Sequence, residues 1–175
     1  MTPLRFAGVA AAAILAGACV VVFGWTAETA VGAAGCLVLV AVTVTDLERR
    51  VVPNRVVLPA LAAALIVQTV REPSAEWVVS ALGAGGFFLL TAIVYPAGLG
   101  MGDVKLAAFL GSWLGRDVIV ALFAGSLLAF LPAVALLAIK GSAARKIGLP
   151  FAPFLAAGGV VALFFGGDIA DSWLN

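Results

Sequence analysis

The sequence predicts an all-α fold, a polytopic transmembrane helix bundle of six to seven spans, and two observations carry that prediction. Of its 175 residues 64% are hydrophobic and 11% are charged, with a mean hydropathy of +1.21. A soluble core of this size cannot hide that much apolar surface. The apolar residues also gather into runs that approach the length a helix needs to cross hydrocarbon, about 20 residues at about 1.5 Å each.

The runs follow one another along the chain. Phe6 to Gly24 comes first, behind Arg5, and Ala30 to Val44 second, closing on Asp46. Pro53-Asn54 is ordinary turn chemistry ahead of the third run, Val56 to Val67. Trp77 to Val94, Val118 to Ile139 and Phe154 to Phe165 complete the six. A seventh is arguable, because Val104 to Leu114 offers only about eleven residues, short for a full span and compatible with a re-entrant piece. The polar connections are too short for a soluble or nucleic-acid-binding domain, so residues 1–175 read as one integral domain with the lipid bilayer as its solvent.

Composition also narrows the chemistry. The chain has no histidine, and Cys19 and Cys36 both lie in apolar runs, where cysteine acts as a small hydrophobe. No metal site, disulfide framework or cofactor is expected from such a set.

The net charge of +1 conceals an asymmetry. Basic residues mark the cytoplasmic side of a membrane protein. If Arg5 is inside and Val104 to Leu114 counts as a span, then Arg49, Arg50, Arg55, Lys105, Lys140, Arg145 and Lys146 are inside too. Of the ten Lys and Arg residues only Arg71 and Arg116 then fall outside. That split favours seven spans in the cytoplasmic (inner) membrane, with the N-terminus on its cytoplasmic side. Trp25, Trp77, Trp113 and Trp173 fall near the outer ends, as an aromatic belt does. Gly111 and Gly115 read as helix-packing positions.

The three acids left inside are Asp46, Glu48 and Asp103, and two of them sit at helix ends. Asp46 closes an apolar helix, where a carboxylate is costly and marks a functional site unless headgroup water or Arg49 and Arg50 receive it. Asp103 follows alternating glycines, Gly98-Leu99-Gly100-Met101-Gly102. Glycines there admit close backbone approach and positive φ, so an extended segment can lead into a helix with Asp103 in its first turn. That placement also suits a plain helix cap, with Lys105 anchoring at the headgroups. Two carboxylates on one side of the membrane can share a proton, one drawing a proton from water while the other donates to a carbonyl or leaving amine.

Gly100-Met101-Gly102-Asp103-Val104-Lys105-Leu106 resembles the GxGD motif, with its trailing Val-Lys-Leu, of type IV prepilin leader peptidases. The partner motif is similar too, since Asp46 is followed by Pro53-Asn54, and Leu149-Pro150-Phe151-Ala152-Pro153-Phe154-Leu155 resembles the family's entry to a closing helix. The likeness covers roughly residues 30–165. It implies a membrane aspartic endopeptidase that removes short basic leaders from pilin-like precursors on the cytoplasmic side, cutting after a glycine. By position it gives Asp46 and Asp103 the catalytic roles and Gly100 and Gly102 the shaping of the site's backbone. Lys105, Pro53 and Asn54 are candidate supporting residues. The chain resembles the short form of the family, without the cysteine-bearing, zinc-binding cytoplasmic insertion, so N-methyltransferase activity is not implied. Presenilin-type peptidases share GxGD, but they pair it with Tyr-Asp and a later Pro-Ala-Leu; here Thr45 precedes Asp46, and Pro59-Ala60-Leu61 lies upstream.

The alternative is a small proton-coupled transporter using intramembrane carboxylates. It predicts internal repeat symmetry, whereas the two aspartate motifs share nothing beyond the acid.

Overall fold

The computed structural model describes residues 2–96, 98–140 and 150–174. Arg145, Lys146 and Leu149, which entered the charge count and the third motif, lie outside the described residues. The helices are α1 (Pro3–Phe23), α2 (Ala27–Arg49), α3 (Asn54–Arg71), α4 (Glu76–Val94), α5 (Met101–Leu114), α6 (Val118–Lys140) and α7 (Ala152–Leu174). A single 3-10 turn, Gly115–Asp117, joins α5 to α6.

Each early boundary has a local cause. The Thr26 side chain caps α2 by accepting from the Thr29 N–H at 3.4 Å. Gly24 (φ 66°) ends α1 and Gly115 (φ 59°) ends α5, both in backbone that glycine adopts without strain. Arg50 ends α2 in the left-handed region at φ 53°, alone among the described non-glycine residues. Gly115 thus serves a turn, while Gly111 does serve packing: a methyl there would lie 2.3 Å from the Ser80 carbonyl oxygen of α4.

Polar contacts give the helix directions. At one end Arg5 of α1 pairs with Glu48 of α2 at 3.1 Å, and Lys105 of α5 meets Asn54 of α3 at 2.8 Å. At the other end Arg71 of α3 lies 3.8 Å from Glu28 of α2, and the Arg116 N–H donates to Glu76 of α4 at 2.9 Å. A start always meets an end or another start consistently with alternating up and down helices. Among the described residues six stretches are long and apolar enough to cross a membrane, with Met101–Ile139 counted as one of them. Within that stretch the chain reverses at Gly115, so α5 runs through the bundle as a helix of its own. Its 14 residues rise about 21 Å, less than the roughly 30 Å of hydrocarbon.

The core is built around α5. Leu39 and Val42 of α2, Val57 of α3, Leu106 and Leu110 of α5 and Leu155 of α7 are all fully enclosed. Gly85 admits Ala108, and Gly125 and Gly158 let α6 and α7 touch backbone to backbone. Trp113 departs from the aromatic belt. It is 3% exposed, stacks on Phe109 and occupies the space that Gly35 leaves open, with its indole N–H on the Val31 carbonyl. Trp25, by contrast, is fully in the open at the α1–α2 turn, as a belt residue is. Cys19 and Cys36 are buried free thiols.

Candidate active site

A cavity of about 970 Å³ opens at the end of the bundle that carries Arg5, Arg49 and Arg55. The last turn of α2, the α2–α3 corner, the end of α4, the segment before α5 and the start of α7 line it, along with one face of α6. Asp46, Asn54, Gly100, Gly102, Asp103 and Lys105 all face it. Pro53 lies just behind, setting the backbone that begins α3 with φ −75°.

Asp46 reaches the cavity because α2 stops only one turn later, where the Arg50 N–H closes on the Asp46 carbonyl at 2.7 Å. The residue is 6% exposed, and its Oδ2 has no hydrogen-bond partner among the described residues. The backbone N–H of Ala152, the first residue of α7, donates toward the same carboxylate, and the charge of Arg50 acts on it. A buried, half-satisfied carboxylate is costly unless something else is to bind there.

Asp103 is the third residue of α5. Its Oδ2 accepts the Gly100 N–H at 3.2 Å while its own N–H donates to the Gly100 carbonyl at 3.0 Å. The helix-cap reading of Asp103 is therefore correct as far as one oxygen goes. It does not exhaust the carboxylate, which also feels the charge of Asp46. Residues 57 positions apart in the sequence thus lie within electrostatic reach in one cavity.

The glycines here work by absence of a side chain, and none of Gly98, Gly100 and Gly102 has positive φ. Gly100 is extended (φ −86°, ψ 152°). A methyl on Gly98 would lie 2.2 Å from the Tyr95 ring, and one on Gly102 would lie 2.7 Å from Val52. The non-helical backbone ahead of α5 borders the cavity, which is where a membrane protein tolerates it. The Nζ of Lys105 donates to Asn54 Oδ1 at 2.8 Å. Sequence reasoning missed Tyr95 and the α6 face carrying Ser126, Ala129, Phe130 and Ala133, whereas Arg50, one of the two arginines expected beside Asp46, does line the cavity. A solitary tyrosine just before Pro96 was the available signal for the first. Among the described residues no cluster of His, Cys, Asp and Glu could hold a metal ion.

The model of the type IV leader peptidase family matches residues 33–166, a span holding both aspartates and the start of α7. The chain belongs to that family. The prepilin leader peptidase/N-methyltransferase of Bacillus subtilis (strain 168) is 35% identical over 143 residues, 78% of this chain and 56% of the relative. The protein of the same name from Burkholderia pseudomallei is 34% identical over 171 residues, 90% of this chain and 53% of the relative. That from Pseudomonas putida is 32% identical over 142 residues, covering 77% and 49%. The chain thus spans about half the length of the curated relatives it matches. No solved structure matches it.

Proposed function

We propose that this chain is a membrane aspartic endopeptidase that removes the short basic leader of pilin-like precursors, with Asp46 and Asp103 as the catalytic pair. The supporting observation is the placement of the two carboxylates across one cavity, one of them buried with an unpartnered oxygen.

The chemistry follows from a pair that holds one proton between its two members. The ionised carboxylate takes a proton from water as the oxygen attacks the scissile carbonyl, and the protonated one donates to the carbonyl oxygen. Collapse of the tetrahedral intermediate breaks the C–N bond, and the leaving amine takes up a proton from the pair. The products are a leader ending in a carboxylate and a stem with a new amino terminus. No covalent intermediate forms. Gly100 keeps the backbone beside Asp103 free of a side chain, which leaves room for an extended substrate strand, while Gly102 shapes the site by admitting Val52.

The basic residues at the cavity end argue for a cytoplasmic active site in the inner membrane, with the N-terminus inside. Basic loops do not attract a basic leader, so recognition rests on the apolar stem of the precursor lying against the helices. The proposal covers peptide cleavage, and the methyl-transfer half of the relatives' name is no part of it.

Mass spectrometry of a pilin precursor co-expressed with the wild type, Asp46→Asn and Asp103→Asn tests the reading. Loss of a proton-transferring side chain is expected to cut processing by roughly 10²–10⁴-fold in each variant, with the wild-type product beginning after a glycine. Processing by all three at equal rates refutes it, and failure of the wild type on several precursors turns attention to proton-coupled transport.

A further inference from the structure

The Lys105–Asn54 hydrogen bond joins the two halves of the site. Asn54 opens α3, eight positions after Asp46, and the intervening corner is short, with Arg50 in the left-handed region, then Val51 and Val52, and Pro53 extended. Lys105 stands two positions after Asp103 on α5. Its ammonium donates to Asn54 Oδ1 at 2.8 Å, and because lysine has no acceptor the amide orientation is fixed. No salt bridge joins Lys105 to either aspartate among the described residues. The lysine therefore spends its donor on a neutral amide of the opposite corner. A second contact lies alongside, where the absent side chain of Gly102 lets Val52 approach.

We propose that Lys105 and Asn54 are positioning residues whose hydrogen bond sets the separation of Asp46 and Asp103, an inference that rests on the peptidase reading above. The tie runs from the first residue of α3, just past the corner that follows the helix of Asp46, to α5, which carries Asp103, and among the described residues it is the only side-chain hydrogen bond between α3 and the first turns of α5. Proton transfer and water activation both depend steeply on that separation, and a displacement of about 1 Å can cost about 10²-fold.

The test is a double-mutant cycle with Lys105→Met, Asn54→Leu and the pair together, measuring kcat and KM on a pilin precursor. Each single variant is expected to lose about ten- to a hundredfold in kcat, and the double variant no more than either single one. Asn54→Asp, which keeps an acceptor for the ammonium, is expected to retain activity. The width of the pH–rate bell reports how strongly the two carboxylates are coupled. It is expected to narrow in the single variants, whereas a merely structural role lowers the amount of active enzyme and leaves the profile in place. Additive losses with an unchanged bell overturn the inference while the peptidase reading stands.

A second measurement does not depend on cleavage. In a Cys19→Ala, Cys36→Ala background, Asp46→Cys and Asp103→Cys are bridged in membranes by a short bifunctional thiol reagent. Adding Lys105→Met is expected to lower the bridged fraction severalfold. An unchanged fraction overturns the inference even if no precursor is ever processed.

Discussion

Replacing Gly111 by alanine tests how firmly α5 is held. The added methyl would lie 2.3 Å from the Ser80 carbonyl oxygen and 2.7 Å from the Ala81 nitrogen. Both are backbone atoms of α4, so no side-chain rotation relieves the clash. Restoring ordinary contact requires α4 and α5 to part by about 1 Å, and overpacking of this kind costs about 1–3 kcal/mol. For a chain of this size that corresponds to a fall of about 2–12 °C in Tm. Gly83 of α4 supplies the control, because nothing lies within 4 Å of a methyl placed there. Gly83→Ala is expected to gain about 0.5–1 kcal/mol from helix propensity alone. Thermal unfolding of both variants in the same detergent gives the comparison. If Gly111→Ala melts at or above the Gly83→Ala temperature, close backbone approach is not what seats α5.

Two further predictions concern the same helix. Gln68→Leu removes the amide that donates to the Trp113 carbonyl at 2.7 Å from a buried position, and leaving that carbonyl unsatisfied is expected to cost about 1–3 kcal/mol in unfolding experiments; an unchanged Tm would mean that another donor reaches the carbonyl. Gly102→Ala is expected to lower processing by about tenfold at normal membrane accumulation, since about 1 Å of displacement beside Asp103 is enough to do so. Val52→Ala in the same chain should restore part of the loss, and no restoration would place the effect elsewhere than the Gly102–Val52 approach.

The sequence made the carboxylate pair visible for a simple reason. Asp46 and Asp103 are ionisable residues at the margins of apolar runs, where each requires an explanation. Helix alternation was visible through the basic residues, which is why a segment as short as α5 was countable at all. The rest depended on tertiary contacts. Trp113 has the sequence position of a belt residue, and only the gap at Gly35 on a distant helix turns it inward. Glycines before Asp103 look alike in sequence whether they serve positive φ or close approach, and Val52 and Tyr95 decide the matter. The Ala152 N–H that meets Asp46 is a backbone group with no sequence signature beyond the prolines and phenylalanines around it. Lys105 has no partner that its own stretch of sequence announces, and only the fold brings Asn54 to its ammonium.

The enclosure of α5 sets two different rules for substitution within one chain. α1 buries only Cys19, and α3 only Val57 and Gln68, so most of their positions make few demands on shape within the chain, and apolarity is the main requirement there. α5 buries Val104, Leu106, Ala107, Phe109, Leu110, Gly111, Ser112 and Trp113, and its solvent is other helices. Shape rather than oiliness governs it, which is how a serine and a glycine persist beside tryptophan in the middle of a membrane protein.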